Sequence, residues 1–403
     1  MELFWLEHKK LWRKKIVKIC VLLCFVYCVI FGSILSFQWF CFGSSDDYTS
    51  AFGNNFDGYT VIKDSQEYAL SFGGELTDET LQKIVSDYQQ MEADGMGEEL
   101  EKTDWQIVNS WLGTLYPELR DTSNYKTMIS YVDPDKLTGF YERRQQVLDE
   151  FLEVSGQVGA EKEFLHQIER KVEKPFHYEW VEGWSTLLGS MVADLGVVMA
   201  LFLGIVLSSL FAGEWHDNTS TLVLTTRNGW GKIALAKILT GLAFTVELFA
   251  LLAVSSVISQ LFFMGTAGWD MPIQNIKLIA VAPMNMLQAE IYEYAFVLLG
   301  AIGFAGIVMF ISAAVKNNVL TLLLSLAVVY GPMMIVEYLP YEMQKALDLI
   351  PLVGSSTDIF RTNTFRIFGK LIWSPYLLIT IPVLIGILCM PFAIKSWSRR
   401  MKA

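Results

Sequence analysis

Six long apolar runs dictate what this chain can become. They cover residues 16–40, 187–211, 233–264, 291–315, 319–336 and 372–394. A helix rises 1.5 Å per residue, so ~20 apolar residues cross the hydrocarbon core of a bilayer. Inside that core a helix satisfies its own backbone hydrogen bonds. At 53% apolar residues, the chain is richer in them than an ordinary soluble protein. The sequence therefore predicts an all-α membrane protein with six transmembrane helices, multi-pass in the cell membrane.

Charge sets the orientation. Lys9, Lys10, Arg13, Lys14, Lys15 and Lys18 lie at the start, among Leu3, Phe4, Trp5, Leu11 and Trp12. That mixture predicts a helix lying in the interface. The run that follows is too long for a signal-peptide core and lacks a small-x-small cleavage site, so it reads as a retained anchor. Basic flanks stay in the cytoplasm, and the last run ends in Lys395, Arg399, Arg400 and Lys402. Both termini are expected in the cytoplasm and residues 43–185 outside the cell. Lys345, Arg361, Arg366 and Lys370, between the last two runs, go against this rule. The expected division is 1–42 (interfacial helix and first span), 43–185 (extracellular domain) and 186–403 (spans two to six, with a cytoplasmic bridge at 213–232).

The formal charge of −11 is unevenly spread. Residues 43–185 hold 29 acids and 12 bases, so the rest of the chain carries +6. An acidic soluble insertion thus interrupts a basic-flanked membrane protein. Nothing in this balance points to nucleic acid. The insertion has no cysteine, hence no disulfide framework. Cys20, Cys24 and Cys28 recur every fourth residue in the first run, Cys41 sits at its edge and Cys389 in the last run. Packing against a neighbouring helix accounts for the stripe.

Inside the insertion, Thr77 reads as a helix cap before Asp78 and Glu79, with Leu81, Ile84, Val85 and Tyr88 at helical spacing. Trp105, Val108, Trp111, Leu112 and Leu115 repeat that spacing, as do Tyr141, Val147, Leu148, Phe151 and Leu152, then Phe164, Leu165, Ile168 and Val172. A mostly helical extracellular domain follows. Pro175, Phe176, Tyr178, Trp180 and Trp184 look like an aromatic return to the membrane face.

In the second run Gly196, Ala200, Gly204, Ser208 and Ala212 form a continuous small face. Small faces let helices approach closely in lipid. Intrachain packing and a dimer- or pathway-facing role are both open. Glu247 lies about 15 Å into the third run, counted from Lys237. A carboxylate at that depth is a functional candidate or a hydrogen-bonded structural group. Ile276–Leu287, broken by Pro283, reads as interfacial or re-entrant. Gly300, Gly303 and Gly306 offer small contacts in the fourth run. Between the fifth and sixth runs, Tyr341–Leu349 and Ile359–Phe368 look helical.

The chain holds no GxxxxGK[ST] loop to cradle ATP, no HExxH, no Gly-x-Ser-x-Gly and no metal-ligand spacing of Cys and His. No catalytic and no metal residues are assigned, and the chain is not expected to be an enzyme or to bind a cofactor of its own.

The bridge between the second and third runs carries Glu214, His216, Asp217, Arg227 and Lys232 around Leu222, Val223 and Leu224. Apolar residues inside a polar bridge suggest a short amphipathic helix on the membrane face that touches a partner; a solvated loop is the plain alternative. Glu214, Thr219, Leu222, Leu224, Thr225, Arg227 and Lys237 resemble the intracellular bridge of type-2 ABC exporter permeases. Asn218 stands where that family commonly has Gly, and Thr226 near its usual Pro. The resemblance covers residues 187–400; the insertion is similar in placement and size to that of sodium-efflux and peptide-antibiotic-resistance exporters of the family.

What it implies is a permease subunit exporting or clearing amphipathic peptides, lipids or ions. A separate cytoplasmic ABC ATPase would hold ATP and Mg, and a second permease copy or a sister permease would complete the pathway. Glu214 and Thr219 would brace the bridge, Leu222 and Leu224 would fill a groove on the ATPase, and Arg227 would pair with its acids. The alternatives are a membrane receptor or regulatory protein with a ligand-binding ectodomain, and a proton-coupled secondary transporter using Glu247.

Overall fold

The computed structural model describes residues 2–30, 62–63, 66–67, 69–70, 73–96, 105–123, 126–217, 219, 231–354 and 362–399. The fold is mostly helical. Among the described residues five helices are long and apolar enough to cross a membrane. They are α8 (Val192–His216), α9 (Lys232–Met264), α10 (Met286–Ala314), α11 (Asn318–Ile335) and α13 (Ser374–Arg399). The first apolar run begins as α2 (Lys15–Val29), after the interfacial-type helix α1 (Glu2–Arg13); its part beyond residue 30, and Cys41, lie outside the described residues.

Large apolar side chains such as Ile258, Phe262, Leu323, Leu384 and Leu388 are exposed on these helices. Facing water they would form an extensive apolar surface; facing lipid they need no cover. The inner faces pack tightly. At the crossing of α10 and α13 a Cβ on Gly306 would sit 2.5 Å from the Gly386 carbonyl oxygen, and one on Gly303 2.3 Å from that of Pro382. Only glycine allows this approach. The Cys20–Cys24–Cys28 stripe is buried, and α2 packs against α9 and α8.

The inserted domain is helical, as its periodicity predicts: α3 (Asp78–Met91), α4 (Trp105–Leu115), α5 (Phe140–Val154), α6 (Ala160–Glu169) and the short α7 (Glu182–Thr186). Two short strands, β1 (Gly74–Glu75) and β2 (His177–Tyr178), pair antiparallel. Thr77 caps α3 by accepting from the Thr80 amide at 3.2 Å. Asp78 then accepts from the amides of Gly139 (2.7 Å) and Phe140 (2.9 Å), fastening the start of α5 to that of α3. Gly139 makes this turn at φ 73°, a left-handed conformation suited to glycine. Leu81, Ile84, Val85, Tyr88, Trp111 and Leu148 are among the side chains buried in its core.

The segment between α9 and α10 departs from expectation. The stretch expected to be an interfacial or re-entrant segment, Ile276–Leu287, is irregular up to Met286; a single 3₁₀ turn at Ile273–Asn275 precedes it, buried with Leu278 and Ala280–Ala282. The inserted domain holds it in place. Arg144 of α5, fully buried, donates to the carbonyls of Leu278 (2.8 Å) and Ala280 (3.2 Å) and to Glu169 (2.6 Å). Trp111, Trp180 and Trp184 donate through Nε1 to the carbonyls of Asn275, Met264 and Ala267, each at 2.9 Å. Trp180 and Trp184 therefore seat the domain on the helix ends rather than facing lipid.

The second departure lies before α13. After α12 (Tyr341–Leu347), residues 364–373 form a hairpin of β3 (Thr364–Ile367) and β4 (Lys370–Trp373), where Ile359–Phe368 suggested a helix. Phe368 (φ 49°) and Gly369 (φ 78°) both take positive φ, the two-residue turn that matches strand twist. Thr364 donates to Gln157 (2.7 Å) and Arg366 to Glu161 (2.6 Å), so the hairpin also meets the inserted domain.

Replacing Arg144 by Ala takes the side-chain donor from the Leu278 carbonyl and leaves the buried Glu169 with Lys174 alone, and is expected to cost about 3 kcal/mol, read as a lowered thermal midpoint. A pH dependence follows too. Burial pushes the Glu169 carboxyl up, but Lys174 and Arg144 outweigh it and hold it below the ordinary range. Its stabilising contribution is then complete above the unfolded value of about 4.3 and is lost as pH falls through the depressed folded value. Thermal midpoints measured from pH 7 downward should fall below about pH 4.3 in the native chain, less so in Glu169→Gln.

Candidate functional site

α8 continues past its apolar stretch to His216 and so carries Glu214 to the end of the bundle opposite the inserted domain. α9 begins at Lys232 and brings Lys237 back from the same end. Both side chains are buried, at 4% and 1% exposure, and they meet: Lys237 Nζ donates to Glu214 Oε1 at 2.8 Å. α1 lies against this junction. Its Lys10 donates to the same Glu214 oxygen at 2.6 Å, and its Glu7 accepts from Lys237 at 2.8 Å. The Thr219 hydroxyl donates to Glu214 Oε2, and the Thr219 amide to the Glu214 carbonyl at 3.0 Å. Just beyond α1, Lys14 donates to Ser209 of α8 at 2.9 Å.

A buried ion pair repays its desolvation only when its remaining atoms are also bonded. Here both Glu214 oxygens accept and Lys237 serves two carboxylates. The space left among Glu7, Lys10, Lys14, Glu214 and Lys237 is about 20 Å³, room for one water. Burial acts to lower the Lys10 pKa, but its hydrogen bond to Glu214 and the charge of that carboxylate raise it above the ordinary value. Lys14 goes the other way: burial first, then the charges of Lys237 and Lys10, pull its ammonium below the usual range. The node is a compact clasp of alternating charge joining α1, α8 and α9 where the bridge begins.

Glu247 is met by α1 as well. Trp12 Nε1 donates to its Oε2 at 3.0 Å, and His8 Nε2 lies 3.2 Å from Oε1. The carboxylate is 41% exposed and partnered. The small face of α8 packs within the chain: Gly204 lies against Leu326 and Leu322 of α11, and the Ser312 hydroxyl of α10 donates to the Ser208 carbonyl at 2.7 Å. Gly196 and Ala200 are buried on the same face.

Of the residues assigned to the bridge, Glu214 and Thr219 come together with Lys237, which the resemblance also matched. Leu222, Leu224 and Arg227, with Asn218, Thr225 and Thr226, lie outside the described residues. Sequence reasoning missed Lys10 as a partner of Glu214, Glu7 as a partner of Lys237 and Lys14 as a donor to Ser209. The basic, amphipathic pattern of residues 2–14 marked an interfacial helix but not what that helix would touch. Among the described residues no cluster of His, Cys, Asp and Glu suits a metal.

Comparison with family models, curated proteins and solved structures finds no match to this chain.

Glu214→Ala leaves Lys237 buried with a single carboxylate partner and is expected to cost about 3–5 kcal/mol. Adding Lys237→Met to it should cost less than the two single changes summed, because the pair acts as a unit. Thermal unfolding of the native chain and the three variants in one detergent checks both statements.

Proposed function

We propose that this chain is the membrane permease subunit of an ATP-driven exporter of the type-2 ABC class, moved by a separate cytoplasmic ATPase that docks on the bridge. The observation that carries the reading is the clasp at Glu214. It ties both helices flanking the bridge, and α1 beside them, into one unit at the end of the bundle away from the inserted domain. A push on the bridge would then move α8, α9 and α1 together rather than bend a loop. That is what a device converting closure of an ATPase pair into a tilt of two spans requires.

In this reading Leu222 and Leu224 seat in a groove of the ATPase, Arg227 pairs with acids there, and ATP and Mg stay on the partner. Two copies of this chain, or this chain with a sister permease, frame the pathway. The bundle spans the cell membrane with both termini inside and the inserted domain outside the cell. The cargo is an amphipathic peptide, a lipid or an ion. The receptor reading gives the clasp no task. The proton-coupled reading on Glu247 is weakened because His8 and Trp12 already occupy that carboxylate.

The test is a preparation of the chain with its native partners, assayed for vanadate-sensitive ATP hydrolysis. Leu222→Asp with Leu224→Asp should remove hydrolysis from the purified complex by ten-fold or more, about 1.4 kcal/mol of binding or beyond, while leaving the thermal midpoint of the chain unchanged. Undiminished hydrolysis in that double variant would count against the docking role.

A further inference from the structure

A polar pair in the membrane bundle has no part in the clasp. Glu290 lies one turn into α10 and is 4% exposed, yet neither carboxyl oxygen has a hydrogen-bond partner. Gln260, one turn before the end of α9, is fully buried, and neither its amide nitrogen nor its amide oxygen has one. Two contacts fix the register of these antiparallel helices. The Ser256 and Tyr294 hydroxyl oxygens lie 2.9 Å apart, and a Cβ on Gly241 would sit 2.6 Å from Met309 Sδ. The two contacts are fifteen residues apart on each helix, so the pairing does not slip between them. One more turn on the same face, four residues along each helix, sets Gln260 level with Glu290.

We propose that Glu290 and Gln260 form a proton-binding site between α9 and α10. An ionised carboxylate would sit opposite an amide with no cation to neutralise it, in surroundings that penalise a lone charge. With a proton bound, the two side chains become complementary. The Glu290 O–H donates to the Gln260 amide oxygen, and the Gln260 N–H donates to the other Glu290 oxygen. One proton and side-chain rotation give a partner to all four atoms. The titratable groups around the pair include Tyr294 on the same helix, whose hydroxyl lies beside the Glu290 carboxyl and 2.9 Å from the Ser256 hydroxyl, and Cys28 of α2 beside that tyrosine. Glu293, three residues further on α10, is also buried. Release of the proton to solvent leaves the carboxylate and opens the pair. Proton occupancy thus ties α9 to α10 just beneath the segment on which the inserted domain rests.

This inference is independent of the permease reading. Infrared spectroscopy of the full chain in nanodiscs of uncharged lipid tests it through the carbonyl stretch of protonated carboxyl groups. At neutral pH the native chain should show a band that Glu290→Gln removes and that disappears as pH is raised. Gln260→Leu should shift that band to higher wavenumber, since it removes the N–H that donates to the carbonyl oxygen of the neutral acid while keeping the surroundings apolar. Exchanging the pair, Glu290→Gln with Gln260→Glu, should restore the band, which separates a specific site from general damage to the fold. A band insensitive to Glu290→Gln, or one unmoved by Gln260→Leu, overturns the proposal. So does a band lost on adding sodium at constant pH but retained with choline, which would make the site one for a metal cation.

Discussion

Everything at the bridge end of this molecule hangs on one buried ion pair, Glu214 with Lys237. Each residue sits near the end of a long apolar helix, and neither could be buried alone. The pair forces α8 and α9 to end together, and its spare hydrogen-bonding capacity recruits Lys10, Glu7 and Thr219. An amphipathic helix that would otherwise lie loosely in the interface is thereby fixed against the bundle. His8 and Trp12 extend the same seam along α9 to Glu247. The clasp links three segments far apart in sequence through charge, where lipid-facing helices have little hydrophobic reason to associate.

The opposite end uses a different device. There the inserted domain grips the segment between α9 and α10 through Arg144 and three tryptophan N–H groups, all aimed at backbone carbonyls. An irregular segment carries carbonyls that no helix satisfies, and burying it demands donors. The domain supplies them, so it acts as a plate on the bundle rather than a tethered module. The hairpin before α13 joins the plate through Gln157 and Glu161. Motion at the clasp would be carried by α8 and α9 to this cover, the layout that the permease proposal requires.

Much of the bundle was legible in the sequence because lipid imposes one simple rule, and the apolar run 233–264 returned as Lys232–Met264 almost unchanged. The helices of the insertion were legible for the same kind of reason: Thr77 and the spacing of Leu81, Ile84, Val85 and Tyr88 are local signals. What failed was non-local. The Ile276–Leu287 stretch looked membrane-seeking, but its apolar residues are covered by a domain more than a hundred residues earlier in the chain. Ile359–Phe368 held a helix-like pattern, while the turn at Phe368 and Gly369 set a hairpin. At the site, Glu214 and Lys237 were marked by the bridge pattern, but nothing local tells that Glu7 and Lys10 complete them. Glu290 was overlooked because the fourth apolar run begins at Ile291, one residue beyond it, whereas the capping box at Asn285 and Gln288 starts the helix earlier.

The composition of the native particle decides whether this membrane body is driven from outside itself. Native mass spectrometry of the chain, drawn from its own membrane in mild detergent, should give a particle of two permease chains and two copies of a nucleotide-hydrolysing subunit. That subunit pair should dissociate first when the detergent is made harsher. A transport-competent particle built of this chain alone, with no nucleotide-hydrolysing companion, would contradict the account.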